Sequence, residues 1–496
     1  MHKHSLFYIG LLWAIAALLY YPVFFSSYFF TDEVLQLWLY GKDSGFHMFA
    51  DQGRFVTDAL FKRLYSGIDH IDQIMWLRLF SFLGWLCCLP AWFLPLRKIA
   101  AREKLPSVLP FLVCLYIIAV PPFALSVGWT SCMEMFIANT SGFLSGYVLY
   151  ASITRKGSFS NPALRALVVS VILGLLSLCT YQSGFCCFIL PFLVHALAQR
   201  RITRILIVGI VAYFGLFVLY FPLFKILLTL MSLGGSARTS LSHDPLAKLR
   251  YFINKPLTGA FHFTWLVREN SLVGHIISLF LIGILLAAQF LRDRDWLSPL
   301  RRLIWPLMTC VLLLLLYFPS LITQENYASN RTLFSLELGV FLFCLEALSH
   351  ACRLSGYRTI LLSLVGLFLA GTAWYNIRYL FLYPLVREYT DVRTRIETSY
   401  TPGLDTVYMI RPGIDLFTQK YGITTSWDEF GLPSTYQPWV PEYFVRQVVF
   451  EKTGSRARAS SLVIRSWPDK VSWEQTGILP GKQAVLIDVE KIEQAL

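Results

Sequence analysis

The chain has 496 residues, of which 56% are hydrophobic and only 15% are charged. A soluble domain could not bury that much apolar surface, and apolar runs of about 20 residues, the length that crosses a bilayer, recur along the chain. The formal net charge of +13 does not indicate nucleic-acid binding, because the basic residues cluster between apolar runs and form no continuous basic face. These features exclude a soluble globular protein and predict a polytopic helical membrane protein.

The sequence predicts about eleven transmembrane helices. The first run lacks the small-residue cleavage site of a signal peptide and is too long for one, so we expect an uncleaved first span. Each run is close to the length that a bilayer requires. The predicted spans lie near residues 6–25, 75–96, 106–127, 136–153, 164–181, 184–198, 204–229, 272–291, 303–321, 333–350 and 359–379.

The placement of basic residues predicts the orientation of these spans. With the N-terminus in the cytoplasm, the cytoplasmic connections hold nearly all of the Lys and Arg residues of the short loops, for example Arg97, Lys98 and Arg201. The opposite short loops are almost free of them, Arg331 being the exception. By the positive-inside rule, the N-terminus is then cytoplasmic and the segment after the last span lies outside.

Composition divides the chain near residue 380. Residues 1–379 are predicted to form a transmembrane domain with two longer outer loops, 26–73 and 230–271. In residues 380–496 the long apolar runs stop, and charges and prolines appear. The predicted elements of this tail are short strands at 407–410 and 462–464 and a helix at 442–450. The expected fold class is therefore an all-α polytopic membrane protein with a small outer α/β domain at its C-terminus.

The first outer loop carries charged residues directly after the first span. Asp32 and Glu33 are adjacent there, and Asp51 and Arg54 follow. Carboxylates at a membrane boundary are costly unless water, a partner or a substrate compensates them. The carboxylates could instead cap a helix, and Arg54 could anchor the chain at the interface. Apolar residues in 55–64 have helical spacing, which fits a helix in the outer interface or one packed on the spans.

Further polar side chains fall on the same predicted face from distant parts of the sequence. They are Glu134 in the second outer loop, Tyr181 and Gln182 in a tight turn, Arg238, Lys248 and Arg250 in the loop 230–271, and Glu325 and Arg331 between the ninth and tenth spans. Simpler roles exist for several of them. Arg331 could pair with Glu325 or Glu337, Gln182 could satisfy backbone groups of the turn, and the charges of the long loop could be solvated.

This set of residues matches the requirements of sugar transfer from a lipid carrier. A carboxylate within hydrogen-bond reach can take the proton of the attacking hydroxyl, and arginine binds the oxygens of a leaving phosphate. Asp32 is the preferred base, with Glu33 as second choice and Glu134 as a further candidate. No cofactor is expected: paired carboxylates would permit a divalent cation, but nothing specifies one, and the ten cysteines show no zinc spacing.

The acidic pair after the first span, Gln52-Gly53-Arg54 before an amphipathic helix, and Tyr181-Gln182 at an outer turn resemble the bacterial and phage-type O-antigen glucosyltransferases. These are GT-C membrane glycosyltransferases, and the resemblance covers about residues 20–190. It implies transfer of glucose from undecaprenyl-phosphate glucose to lipopolysaccharide O-antigen at the periplasmic face of the bacterial inner membrane. The resemblance assigns the acidic pair to Asp32 and Glu33 and the arginine to Arg54. Many members have two aspartates where this chain has Asp-Glu, so the division of roles stays open.

Two other functions compete with sugar transfer. A transporter or flippase of lipid-linked sugars would place ionisable groups near the bilayer midplane, where this sequence offers mainly Glu337 and Glu346. A protein that only anchors its outer tail would not need eleven spans. The sequence therefore favours a glycosyltransferase whose partners are a polyprenyl-phosphate sugar, a glycan acceptor and the bilayer, without nucleic acid.

Overall fold

A computed structural model gives the fold. It describes residues 2–40, 45–154, 161–199, 201–262, 276, 279–280, 283, 299–353, 358–421, 429 and 431–490. The α-helices up to residue 262 are α1 His2–Phe24, α2 Glu33–Leu39, α3 Phe55–Tyr65, α4 Ile74–Arg102, α5 Leu109–Ala119, α6 Pro121–Gly128, α7 Met135–Thr154, α8 Asn161–Thr180, α9 Leu190–Gln199, α10 Arg204–Leu230, α11 Pro245–Phe252 and α12 Thr258–His262.

The second half of the chain adds further helices and three strands. They are α13 Pro299–Leu315, α14 Phe318–Ile322, α15 Asn330–Arg353, α16 Arg358–Tyr375, α17 Tyr383–Ser399, β1 Thr406–Ile410, α18 Leu416–Tyr421, α19 Val440–Thr453, α20 Arg456–Ser461, β2 Val463–Trp467, α21 Lys470–Glu474 and β3 Ala484–Asp488. Short 3-10 segments at Thr130–Cys132 and Gln182–Ile189 precede α7 and α9.

The structure is that of a helical membrane protein, but it does not show eleven full spans. Among the described residues five helical segments are long and apolar enough to cross a bilayer, and the bent pair α5 and α6 makes a sixth. Helices occupy the other predicted positions, but they are shorter or more polar, and the predicted span 272–291 lies almost entirely outside the described residues. The five segments are His4–Phe24, Ile71–Arg102, Gln182–Gln199, Arg204–Leu230 and Ile360–Ser399.

The bend between α5 and α6 has a local cause in the sequence. Pro121 and Pro122 follow Val120, and a residue before proline avoids the helical region of the backbone. Val120 is extended, with ψ of 148°, and the two helices meet at 52°. Almost every side chain of this pair is buried, so the bent helix lies inside the bundle.

Small residues bring α7 against the segment that leads into α9. A side chain on Gly146 would overlap the backbone of Phe188, and one on Gly142 would lie 2.7 Å from the carbonyl oxygen of Gly184. Gly184 in turn approaches Ala138. This close contact holds the N-terminal end of α7, which follows Glu134, beside the start of the 3-10 segment at Gln182.

The tail forms the predicted α/β unit. Its three strands are parallel in the order β2-β1-β3, with Thr406 opposite both Val463 and Ala484. The predicted strands and the predicted helix at 442–450 are confirmed. Helical structure runs without a break from Ile360 to Ser399, so the chain passes from the bundle to the tail through one continuous helix.

The tail packs directly on the first loop. Glu388 of α17 accepts hydrogen bonds from the backbone N–H groups of Ser434 and Thr435 at 2.8 and 2.7 Å. The Ser434 hydroxyl donates to the carbonyl oxygen of Phe29, and the ring of Phe29 packs on that of Phe444 at 4.3 Å. The tail is therefore part of the wall around the residues that follow α1.

Candidate functional site

Asp32 begins α2 but does not cap it. Its side chain makes no capping hydrogen bond, which removes the capping explanation for this residue. The preceding Thr31 has a φ of 40°, a strained conformation for a β-branched residue, and such strain concentrates at functional sites. The indole N–H of Trp439 donates to Asp32 Oδ1 at 2.8 Å. The second oxygen accepts no hydrogen bond from the described residues, and the carboxylate remains partly exposed.

Glu33 has the opposite environment, so its expected role as an alternative base is revised. Its side chain is fully buried and forms an ion pair with Arg78 of α4 at 2.7 Å. The same carboxylate accepts the backbone N–H groups of Phe30 and Thr130, at 2.8 and 2.7 Å, and the hydroxyl of Thr130. Both oxygens are occupied and neither reaches solvent, so Glu33 is an internal anchor.

Glu134 lies deeper than Asp32, immediately before α7. The residue is 2% exposed, and its Oε2 has no hydrogen-bond partner among the described residues. Burial raises the pKa of Glu134 to about 7, against the opposing effects of its own backbone N–H and of the charges of Arg54 and Arg331. A carboxyl group that changes its charge near neutral pH is therefore in electrostatic contact with two arginines.

Arg54 is held beside Tyr181. Its guanidinium lies 4.3 Å from the centre of the Tyr181 ring, and its Nε has no hydrogen-bond partner within the described chain. The preceding Gly53 has a φ of 81°, and a side chain there would collide with Tyr220 and Phe224 of α10. The sequence Gln52-Gly53-Arg54 thus allows the loop to approach α10 closely enough to bring the arginine to that helix.

Arg331 sits at the start of α15, and its partner comes from the tail. Neither predicted alternative, Glu325 or Glu337, forms the ion pair. Arg331 Nε lies 2.8 Å from Glu429 Oε1, and the guanidinium stacks over Trp129 at 4.6 Å from the ring centre. Burial raises the pKa of Asp32 above its usual value, while Arg331, the Trp439 hydrogen bond and then Arg238 oppose this shift. Arg331 therefore acts electrostatically on both Asp32 and Glu134.

A cavity of about 530 Å³ opens beside Arg54. Asp32, Glu134 and Arg331, which the sequence predicted on the same face, are not among the residues that line this cavity. One end is polar and includes Arg54, Tyr181, Gln182 and Arg238, and the hydroxyl of Tyr181 is buried there without a partner in the described structure. The other end is an apolar wall formed by α10 and α14. Its lining residues include Phe214, Phe217, Val218, Phe221, Phe318 and Ile322.

The apolar wall is continuous with the outer surface of α10. Val218 is 71% exposed and Phe221 is 54% exposed, and α10 is among the helices that are long and apolar enough to cross a bilayer. Large apolar side chains are stable at such positions when lipid covers them. The cavity therefore joins a cationic polar end to a surface suited to acyl or prenyl chains.

Some of the remaining predicted binding residues line the cavity and others do not. Gln182 donates to the carbonyl oxygen of Gln52 and to the hydroxyl of Tyr220, so it lines the cavity and also ties the loop to α10. Arg238 and Glu325 line the cavity and form an exposed ion pair at 3.4 Å. Asp51 does not line the cavity; burial raises its pKa, while the Gln52 backbone N–H, Arg54 and Arg238 oppose the shift.

Lys248 and Arg250 do not lie in the cavity, so their expected role is revised. The ammonium group of Lys248 is buried and donates to the carbonyl oxygen of Glu325 and to Asn326 Oδ1, each at 2.8 Å. Burial lowers the pKa of Lys248. Arg250 is exposed on the other side of α11 and has no ion pair in the described residues. A helical turn cannot present both side chains to one cavity when they are two positions apart.

The amphipathic helix α3 packs on the bundle, which is one of its two predicted arrangements. Thr57, Asp58 and Phe61 are buried against the bundle, and the Thr57 hydroxyl donates to the carbonyl oxygen of Thr180 at 2.7 Å. The predicted apolar face, which includes Phe55 and Val56, remains partly exposed, as expected for a helix at a lipid interface. Among the described residues no group of three or more His, Cys, Asp or Glu side chains could hold a metal ion.

Sequence reasoning missed three residues that shape the site. Arg78 carried a usable signal, because an arginine inside an otherwise apolar span needs a partner. Glu429 and Trp439 carried none, since both lie in the tail, far from the other site residues in sequence. No protein-family model matches the chain, and no curated protein matches it, so its function is argued from the site alone.

The buried ion pair predicts a large effect of Glu33→Gln on stability. Removing one partner leaves the Arg78 charge buried and uncompensated, which costs about 3–5 kcal/mol. We expect a clear fall in the thermal unfolding temperature of the detergent-purified protein. The matched control is Glu442→Gln, which breaks an exposed pair with Arg446 worth about 0–1 kcal/mol. Equal unfolding temperatures for the two variants would contradict the anchoring role.

The raised pKa of Glu134 predicts a pH-dependent stability difference between the wild type and Glu134→Gln. From pH 4.5 to about 7 the folded protein binds the proton more tightly than the unfolded chain, so wild-type stability falls as pH rises. The total is roughly 3 kcal/mol, and the fall levels off about one pH unit above that pKa. Thermal unfolding of both proteins from pH 4.5 to 8.5 measures it. A constant difference over this range would show that Glu134 does not titrate there.

Proposed function

We propose that the protein is a membrane glycosyltransferase that moves a hexosyl group from a polyprenyl-phosphate sugar to a glycan acceptor. One observation carries the proposal: a single cavity joins arginine side chains to an apolar wall that continues onto the lipid-facing surface of α10. A lipid-linked sugar has the same two-part chemistry, an anionic head and a long apolar tail. Two carboxyl groups lie near the cavity without lining it: Asp32 is in the field of Arg238 and Glu134 in that of Arg54, and Arg331 acts on both.

The donor would place its phosphate at the polar end of the cavity. Arg54 lines the cavity there and is fixed by its stacking on Tyr181, so little side-chain freedom is lost on binding. Arginine offers several N–H groups in a plane that matches phosphate oxygens. The prenyl chain would follow Phe217, Phe221 and the neighbouring apolar residues of α10 toward the bilayer.

In the proposed reaction the acceptor hydroxyl oxygen attacks the anomeric carbon of the donor sugar. The new glycosidic bond forms as the bond between that carbon and the phosphate oxygen breaks. Asp32 takes the hydroxyl proton, which is the work of a general base, and the phosphate departs with its electron pair toward the arginines. Asp32 suits this role because one of its oxygens is free, while Trp439 fixes the other.

The proposal extends to the cellular setting that the sequence suggested. The donor is undecaprenyl-phosphate glucose, the acceptor is a surface polysaccharide such as lipopolysaccharide O-antigen, and the reaction takes place at the periplasmic face of the bacterial inner membrane. The N-terminus is then cytoplasmic and the tail periplasmic. The support for this orientation is the concentration of basic residues in the connections on the opposite side.

A transporter of lipid-linked sugars is the second candidate, and one observation favours it. Glu337, inside α15, is fully buried and neither of its oxygens has a hydrogen-bond partner in the described structure. Buried carboxyl groups inside membrane helices occur in transport pathways. Glu337 does not line the cavity of about 530 Å³, however, so it lies off the route of a lipid bound there.

The two functions differ in their products. A glycosyltransferase adds the mass of one hexose per repeat to the surface polysaccharide of cells that carry the gene. A flippase moves the donor across the bilayer without changing the acceptor. Mass spectrometry of the polysaccharide, together with a translocation assay in vesicles that contain the purified protein, separates these outcomes.

Asp32→Asn should reduce sugar transfer by at least about 100-fold, because a general base contributes roughly 10²–10⁴-fold. The amide oxygen of asparagine can still accept the Trp439 hydrogen bond, so the variant should fold normally. Transfer from a purified lipid-linked sugar in proteoliposomes measures the effect. Asp415→Asn, an exposed acidic residue of the tail, is the matched control and should keep full activity. A fully active Asp32→Asn variant would remove this residue from the base role.

Arg54→Gln should weaken use of the donor. A charge-assisted hydrogen bond is worth about 1.5–3 kcal/mol, so we expect the apparent KM for the lipid-linked sugar to rise at least about 10-fold. Arg63→Gln removes an exposed arginine of the same outer loop that lies outside the cavity, and it should leave KM unchanged. If both variants keep the wild-type KM, Arg54 is an interfacial anchor and not a phosphate ligand.

A further inference from the structure

A second polar cavity lies at the other end of α7. Its volume is about 340 Å³, within the range of small-molecule sites. The side chains of Lys98, Arg102, Tyr147 and Tyr150 contribute to its lining, together with Ile99, Ala151 and Thr154. The cavity is thus formed between the C-terminal ends of α4 and α7 and contains two cations but no carboxylate.

The position of this cavity matches the opposite membrane interface. Glu134 precedes the first residue of α7 and Thr154 is its last residue. A helix of that length, 20 residues, rises about 30 Å, which is about the thickness of the hydrocarbon core of a bilayer. If the first site lies at one interface, the second cavity lies at the other. By the distribution of basic residues this second interface is the cytoplasmic one.

The cations of the cavity are available to a ligand. Arg102 uses one nitrogen to donate to the carbonyl oxygen of Thr154 and lies over the Tyr150 ring at 6.0 Å, so its guanidinium is held in place. Lys98 is exposed and has no hydrogen bond or ion pair with the described residues. The neighbouring carboxylate, Glu103, is bound instead by Tyr150, His195 and Gln199. No carboxylate of the described chain forms an ion pair with either cation.

Exposed leucines follow the cavity along one face of α4. Leu94 lies one helical turn before Lys98, and Leu83 lies about three turns before Leu94 on the same face. We propose that this cavity binds the phosphate head group of an anionic phospholipid, whose acyl chain follows this face of α4. A fixed arginine, a mobile lysine and two tyrosines supply the head-group contacts. Basic pockets between membrane helices on the cytoplasmic side are suited to such lipids.

Binding of short-chain lipids to the full-length protein tests this inference. Dioctanoyl phosphatidylglycerol should bind to the detergent-purified protein and raise its unfolding temperature. Dioctanoyl phosphatidylcholine, which has no net charge, should have a much smaller effect. Inorganic phosphate and glycerol phosphate should also have little effect, because they lack the chain. If inorganic phosphate produces the same shift as phosphatidylglycerol, the site binds free anions and the lipid proposal is wrong.

Lys98→Gln provides the site-specific arm of the test. Lys98 has no structural partner in the described chain, so the variant should fold normally and bind phosphatidylglycerol about fivefold more weakly. The control is Arg63→Gln, an exposed arginine of α3 near the other end of the bundle, which should bind like the wild type. Unchanged affinity of Lys98→Gln, or equal losses in both variants, would overturn the proposal. The assay measures lipid binding alone, so its outcome is independent of sugar transfer.

Discussion

The site depends on one buried ion pair. The Glu33 carboxylate binds the Arg78 guanidinium, and it also accepts hydrogen bonds from the backbone of Phe30 and Thr130. These contacts join the end of the first span, α4 and the segment that leads to Glu134. A buried charge pair is stable only when such extra hydrogen bonds complete it. The same contacts therefore fix the distance between the backbone of Asp32, on one side of Glu33, and that of Glu134.

Asp32 and Glu33 are adjacent, but their side chains point in opposite directions and therefore have different roles. Glu33 points into the bundle, where an unpaired charge would be costly, and finds its partner on α4. Asp32 points the other way, toward Trp439 and the field of Arg331. The sequence predicted that both carboxylates lie at the mouth of the membrane. It could not predict their directions, because these depend on Arg78, which is 45 positions away.

The sequence predicted the helical membrane class and the strands of the tail well, and the number of spans poorly. Length and apolar content identify a helix, but α7 carries Asn139, Thr140 and Ser141. Trp92 of α4 binds Thr140, the 3-10 segment packs on Asn139, and Ser141 bonds to the backbone of its own helix. Such packing is not visible in a window of sequence. The site was predicted in part: Arg54, Tyr181, Gln182, Arg238 and Glu325 share one cavity, whereas Asp32, Asp51, Glu134, Arg331, Lys248 and Arg250 do not line it. For Lys248 and Arg250 the cause is the direction in which each side chain leaves helix α11, which the sequence does not give.

The tail supplies side chains to the site, which is therefore not formed by the helical bundle alone. Glu429 pairs with Arg331, and Trp439 binds Asp32, so two residues of the tail hold an arginine and a carboxylate of the bundle. An anionic ligand that reaches Arg331 must compete with Glu429 for the same guanidinium. The donor phosphate proposed for the cavity would not reach Arg331 directly, because Arg331 is not among the residues that line the cavity. The tail would instead act on the proposed reaction through charge: any movement that separates Glu429 from Arg331 changes the field at Asp32 and Glu134, and such coupling acts in both directions.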